Sequence, residues 1–217
     1  MIAGELVLAL CLFGPDGSGK STLANHIAGW FRGRGFCVVV VWLRGTHTLA
    51  SIFARFLARF SRFRGPCNPY YWICVPRGLR WLWVWVEFFS ILPIVFFRFV
   101  VPRFLGCVVV AERCLVDFLV WLMVSLRWFG VVGCFVGRVV LVLHRWLCGV
   151  TVYVRAGLDV LLSRRRGSRE EHLIPIQFRV YEAIARALGV PRVDTSEGSV
   201  VECVEAVLRL VGGVCGG

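Results

Sequence analysis

Short apolar runs recur along this chain with helical stretches between them: Glu5 to Phe13, Phe36 to Leu43, Cys107 to Ala111, Val150 to Val154, and a brief Arg192 to Asp194. The runs do not alternate strictly between apolar and polar residues. A strand covered on one face would alternate, so these need cover on both, and intervening helices supply it. The expectation is an α/β fold with a central parallel sheet of about five strands and helices on both faces.

The stretches between the runs carry helical signals. Ser21 to Phe31 places Leu23, Ile27 and Trp30 at helical spacing and stops at Gly33 and Gly35. Thr48 to Phe63 reads as a second helix with Arg55, Arg59 and Arg62 on one face, broken afterwards by Pro66, Asn68 and Pro69. An apolar stretch from Leu79 to Leu105 precedes the third run, and Leu115 to Leu126 follows it. Ser199-Val200-Val201-Glu202 is a capping box that opens a last helix to about Leu210. The 217 residues suffice for one domain with a real core. We therefore expect a single domain over 1–211 and a frayed Gly/Cys tail over 212–217.

Composition narrows the class. With 58% hydrophobic residues, 18% charged and a mean hydropathy of +0.75, disorder is excluded, and a membrane protein or an unusually apolar soluble one remains. The 25 basic residues against 13 acidic give a net charge of +12, which favours polyanionic partners. Lys20 is the single lysine; every other basic residue is Arg. The side-chain amides are only Asn25, Asn68 and Gln177, a scarcity that fits a hot-living source, although the near-absence of lysine runs against the usual thermophile trend. The ten cysteines include no Cys-x-x-Cys pair, so zinc is not expected, and Cys11, Cys37 and Cys107 inside apolar runs read as core thiols. Glu5 stands before the first apolar run with no charged leader or cleavage site, which points to the cytoplasm.

Gly14-Pro15-Asp16-Gly17-Ser18-Gly19-Lys20-Ser21-Thr22 satisfies the G-x-x-x-x-G-K-[ST] pattern, follows an apolar run and opens a helix. Glycines let successive backbone N–H groups turn inward on a phosphate, and the helix N-terminus adds positive potential. Lys20 then bridges the outer phosphates of ATP while the Ser21 hydroxyl takes a Mg2+ position. A compact ammonium reaches between phosphates where a planar guanidinium would crowd the loop. The solitary lysine falls in this loop.

Phosphoryl transfer also needs cations around the moving group. Arg44 follows the second run, Arg113 the third, and Arg164, Arg165, Arg166 and Arg169 the helix after the fourth. In an open parallel sheet these carboxyl-end loops converge. Arg44 reads equally as a solvated loop charge, and Glu112–Arg113 as a plain ion pair. The four arginines beside Gly167 and Ser168 fit a mobile basic lid over 164–172. Glu112 fits a water-mediated magnesium partner.

With these residues in that order, the chain resembles the thymidylate kinase-like branch of the nucleoside-monophosphate kinases over nearly its whole length. The resemblance rests on the Gly14–Thr22 loop, Glu112-Arg113 followed by Val116-Asp117-Phe118, the Arg-rich segment, Arg179 with Tyr181, and Val193-Asp194-Thr195-Ser196. It implies a three-layer P-loop kinase fold and transfer of the ATP γ-phosphoryl group to a deoxynucleoside monophosphate, dTMP giving dTDP. By the same resemblance, Asp16 contacts the substrate sugar and Arg113 its phosphate, Arg164, Arg165 and Arg169 serve the transfer, and Asp194 and Thr195 lie near the adenine. The family usually has Asp-Arg-Tyr or Asp-Arg-His where this chain has Glu112-Arg113-Cys114. Phe53, Phe60, Tyr70, Tyr71 and Trp72 are the candidates for stacking on the base.

Two other readings stand beside it. Glu112-Arg113 and Arg169-Glu170-Glu171 also look like deoxynucleoside kinases, but a neutral hydroxyl acceptor wants a carboxylate base after the second strand, where this chain has Arg44. The other alternative is a non-catalytic, membrane-associated nucleotide-binding protein. Nucleic-acid binding is not expected, because the arginines are spread rather than laid along one helix. Trp81 to Phe97 is marginal for a spanning helix, and a crossing there would part Lys20 from Arg113. Burial of this stretch on the sheet or in a homodimer is expected ahead of peripheral attachment to a membrane.

Overall fold

The computed structural model describes residues 9–215. In chain order the elements are β1 (Ala9–Phe13), α1 (Lys20–Arg32), β2 (Val38–Trp42), α2 (Thr48–Leu57), β3 (Arg64–Asn68), α3 (Arg80–Val95), α4 (Val101–Phe104), β4 (Val108–Arg113), α5 (Leu115–Ser125), α6 (Phe135–Leu147), β5 (Val150–Arg155), α7 (Leu158–Arg164), α8 (Ile174–Leu188), β6 (Arg192–Asp194) and α9 (Val200–Cys215). Five strands form one sheet in the order β2-β4-β1-β5-β6, and every pairing is parallel. The expected α/β architecture is therefore present. Positions 5–8 of the first apolar run lie outside the described residues.

Strand residues alternate between two cores, as a pleated sheet demands. Ala9, Cys11 and Phe13 of β1 join Val109 and Ala111 of β4 in a core shared with α3, α5, α6 and α8. Leu10 and Leu12 join Val108 and Val110 in the core beneath α1 and α9. Burial on both faces explains why the runs read as continuously apolar. β1 is central: the chain leaves it for β2 and β4 on one side and returns to β5 on the other. The strand order reverses at its carboxyl end, which is where an open parallel sheet leaves a crevice.

Several boundaries differ from the sequence expectation. The second helix ends at Leu57 rather than Phe63; a 3-10 turn at Ser61–Phe63 follows, and residues 64–68 then bridge Ile73 in an antiparallel pairing closed by a Cys67–Cys74 disulfide. The tail expected from 212 is helical to Cys215. The third apolar run becomes β4, which extends through Arg113.

Cys11, Cys37 and Cys107 are not core thiols. Cys11 pairs with Cys148 and Cys37 with Cys107, at Cα–Cα separations of 5.9 and 4.6 Å that a disulfide spans readily. Register is the reason: Val38 sits opposite Val108, so the residues just before them are neighbours across the β2–β4 edge. Among the described residues Cys114, Cys134 and Cys203 are free.

Arg77–Phe104 forms a helical stretch of 28 residues, long and apolar enough to cross a membrane by length and composition, with mean hydropathy 2.0 in its most apolar window. It runs through α3, a π-helical turn at Phe96–Val100, and α4. One side packs Trp83, Val84, Phe88, Ile91, Val95 and Phe99 into the larger core. Polar ties fix it further: the fully buried Glu87 accepts hydrogen bonds from the Thr46 N–H and hydroxyl, and Ser90 accepts one from the Ala50 N–H at 2.7 Å.

Candidate phosphate-binding site

The glycine-rich loop follows β1 at the sheet's reversal point and runs directly into α1. Its first residue could not be replaced: a Cβ on Gly14, whose φ is +153°, would lie 2.1 Å from the Val154 carbonyl oxygen of β5. The Gly14 N–H points to Asp117 Oδ1 at 3.4 Å, which ties the loop to the start of α5. Lys20, the first residue of α1, is buried and turns back into the loop. Its Nζ donates to the Pro15 carbonyl at 2.5 Å and to Ser18 Oγ at 3.1 Å. Burial pushes the Lys20 pKa down to about 8, partly opposed by the charges of Asp117 and Glu112.

Asp16, fully enclosed, gathers the cations. Arg113 pairs with its Oδ1, Arg44 with its Oδ2 at 3.1 Å, and Arg165 approaches Oδ1 at 3.8 Å. Gln177 of α8 completes the carboxylate's shell with Nε2 at 3.1 Å from Oδ2, and its Oε1 accepts the Asp16 N–H at 3.3 Å. Three strand-end or helix-end segments distant in sequence thus meet at one carboxylate. Asp117 and Glu170 balance the remaining charge: Asp117 lies 3.3 Å from Arg113 and accepts from Tyr181 at 2.8 Å, and Glu170 lies 2.8 Å from Arg44. The Tyr181 hydroxyl is held well above its usual range by burial and by Asp117.

Arg44 is not the solvated loop charge. It is buried, donates to the Tyr70 hydroxyl at 2.9 Å and lies 4.6 Å over the Trp121 ring. The turn that carries it is packed against the same ring, since a Cβ on Gly45 would fall 1.7 Å from Trp121. Thr46, at φ +59°, is fixed by Glu87, and its hydroxyl also accepts from Asn68 Nδ2 at 3.2 Å and Trp121 Nε1 at 3.1 Å. Burial raises the Glu87 pKa, against the hydrogen bonds from Thr46, Trp83 and Trp121. Nor is Glu112–Arg113 an ion pair: Arg113 turns to Asp16 and Asp117 instead.

A cavity of about 490 Å³ opens beside the loop. Asp16, Gly17, Gly19, Lys20, Ser21 and Thr22 line it together with Arg113, Arg164, Arg165 and Thr195. Gly14, Pro15 and Ser18 stand behind it in the loop. Arg164 closes one side, donating to the Gly17 carbonyl at 3.1 Å and the Thr195 carbonyl at 2.9 Å. Thr195 Oγ1 donates to the Ser18 carbonyl at 3.1 Å. The first two residues of the basic segment, Arg164 and Arg165, therefore rest against the loop. Asp194, whose pKa is lowered by the Ser196 hydrogen bonds and by Arg155 despite the cost of burial, faces Arg155 at 3.2 Å rather than the cavity. Arg169 faces a second cavity of about 650 Å³ beside Pro66, Tyr70, Trp72 and His172. Glu112 is half-buried on β4 outside the lining of the first cavity.

Sequence reasoning did not assign Gln177, Asp117, Glu170, Thr46 or Glu87 a place here. Signals existed for some: Asp117 stands in the Val116-Asp117-Phe118 segment singled out above, and Gln177 is among three side-chain amides in a chain that otherwise avoids them. Glu87 offered a weaker one, a lone carboxylate inside an apolar stretch.

Comparison with known proteins adds no constraint: no family model matches the chain, and no curated protein matches it.

Proposed function

We propose that the protein is a P-loop kinase that transfers the γ-phosphoryl group of ATP to a deoxynucleoside monophosphate, dTMP giving dTDP. The observation that carries this reading is Lys20, turned into the hollow of a glycine-rich loop beside a cavity lined by Arg113, Arg164 and Arg165. Loop N–H groups and the α1 N-terminus would hold the triphosphate. Lys20 would exchange the Pro15 carbonyl for phosphate oxygen. Arg164 and Arg165, at the C-terminal end of α7, would neutralise the migrating group as charge develops on it.

Arg44 and Arg113 serve the acceptor phosphate in this reading. Both now engage Asp16, so an incoming phosphate competes for guanidinium donors that a carboxylate already organises. An acceptor phosphate arrives ionised and needs no base, only positive charge and alignment. The cavity beside Tyr70 and Trp72, with Arg169 at its rim, offers aromatic surface for the base.

Magnesium fits the residues in part. Ser21 is exposed at the start of α1 and lines the cavity, so its hydroxyl can hold the ion, whereas Glu112 stands outside the lining and could act only through water. When bound, Mg2+ would offset phosphate charge and orient the outer phosphates.

The test is acceptor-dependent ADP release, with dTMP and thymidine compared at equal concentration. Turnover with dTMP supports the proposal. Turnover with thymidine alone would establish a deoxynucleoside kinase, and ATP binding without turnover on any monophosphate would leave a nucleotide-binding protein.

A further inference from the structure

Acidic residues are segregated in this chain. Between Asp16 and Glu112 the only carboxylate is Glu87, and between Asp117 and Asp159 there is none. Glu87 is fully buried. The helices α2, α3, α4 and α6 fall in those two stretches, so no carboxylate is exposed on any of them.

What they expose is almost entirely apolar or basic. Along α3, the π-helical turn and α4, the exposed residues Leu82, Phe89, Phe96, Phe97 and Phe104 recur at about every second turn and so lie on one side of the helix. On α6, Phe135, Val142 and Trp146 are exposed at helical spacing, with exposed Arg138 and Arg145 between them. The two stripes adjoin. Trp85 stacks with Phe135 at 6.0 Å, and further along Arg103 donates to the Trp146 carbonyl at 3.0 Å. Phe104 is 82% exposed, Phe135 70% and Phe97 66%. A contiguous surface of this kind needs a partner.

We propose that this face docks peripherally on an anionic lipid bilayer, its aromatic side chains entering the boundary between headgroups and acyl chains while Arg138 and Arg145 meet lipid phosphates. Charge decides between this occupant and a second copy of the chain. Pairing two such faces would set arginine against arginine with no exposed carboxylate on these helices to compensate, whereas an anionic bilayer supplies the missing negative charge. Aromatic rings and snorkelling arginines are the side chains suited to the interfacial zone. Insertion across the bilayer is incompatible with the Glu87–Thr46 and Ser90–Ala50 ties, which hold α3 to the turn after β2 and to α2. The proposal stands apart from phosphoryl transfer, and either can fail without the other.

Flotation of the full chain with phosphatidylcholine vesicles, with and without phosphatidylglycerol, tests it. The expected result is at least about tenfold tighter binding to the anionic vesicles, weakening as NaCl is raised. Phe97→Asp combined with Trp146→Asp should weaken that binding about tenfold or more, and Arg138→Glu combined with Arg145→Glu should abolish the preference for anionic lipid. Thermal melting of each variant reports folding. Quenching of the native protein's tryptophan fluorescence by brominated lipid provides a readout without substitution. Equal affinity for both vesicles, no binding, resistance to carbonate extraction, or a solution dimer that Phe97→Asp dissociates would each overturn the proposal.

Discussion

Arg113 and Asp16, 97 positions apart in the chain, form a buried ion pair that joins the end of β4 to the glycine-rich loop. Arg44 reaches the same carboxylate from the turn after β2. The loop is thereby held by its own side chain against the two cations that our proposal assigns to the acceptor phosphate.

Removing Asp16 should consequently cost stability. Breaking a buried pair by deleting one partner costs about 3–5 kcal/mol, and the low end applies to Asp16→Ala because Asp117 and Glu170 still face the arginines. Denaturant unfolding measures the loss. Inorganic phosphate should restore part of it, more than it adds to the native protein, since it can occupy the vacated position between Arg44 and Arg113.

Lys20 should make nucleotide affinity pH-dependent. Its pKa of about 8 in the buried loop means that the ammonium is present at neutral pH and lost as pH rises through that value. Bound triphosphate favours the protonated form, so the Kd for ATP should rise above pH 8, approaching tenfold per pH unit. Titrations across that range should show the slope, and Lys20→Met should flatten it.

His144 is buried on α6 with its pKa lowered to about 4 by desolvation, its Nε2 lying 3.1 Å from Thr151 Oγ1. The unfolded chain binds a proton near the ordinary value of 6.5, where the folded protein does not. The stabilising contribution is thus complete above about pH 6.5 and declines as pH falls toward 4, by at most about 3 kcal/mol. Thermal melting between those limits should show the decline, and His144→Gln should remove this part of it.

Glu87 should act on the site through Thr46. Replacing it with Ala strands the buried Thr46 N–H and hydroxyl, at about 1–3 kcal/mol, and loosens the turn that carries Arg44. Glu87→Gln keeps one acceptor and should lose less. Chemical denaturation orders the two variants, and in the kinase reading the acceptor KM should follow the same order.

The sheet was legible from sequence because its strands are buried on both faces, so Val108 to Ala111 or Leu10 to Phe13 had little room for polar residues. The glycine-rich loop was legible because Gly14 and Lys20 are constrained by backbone geometry and charge. Partnerships set by register were not. Cys37 meets Cys107 only because β2 lies beside β4, and neither run carries a local mark of that adjacency. The same holds for Arg113, whose neighbour Glu112 was an apparent partner until the strand turned it toward Asp16.

The central claim is that the loop around Lys20 binds Mg-ATP. Isothermal titration of ATP into the native protein and into Lys20→Met, with magnesium present, addresses it most directly. We predict saturable one-site binding by the native protein and at least about tenfold weaker binding by the variant, the loss of a charge-assisted phosphate contact. Equal affinity in both proteins, or no heat of binding in either, would contradict the account.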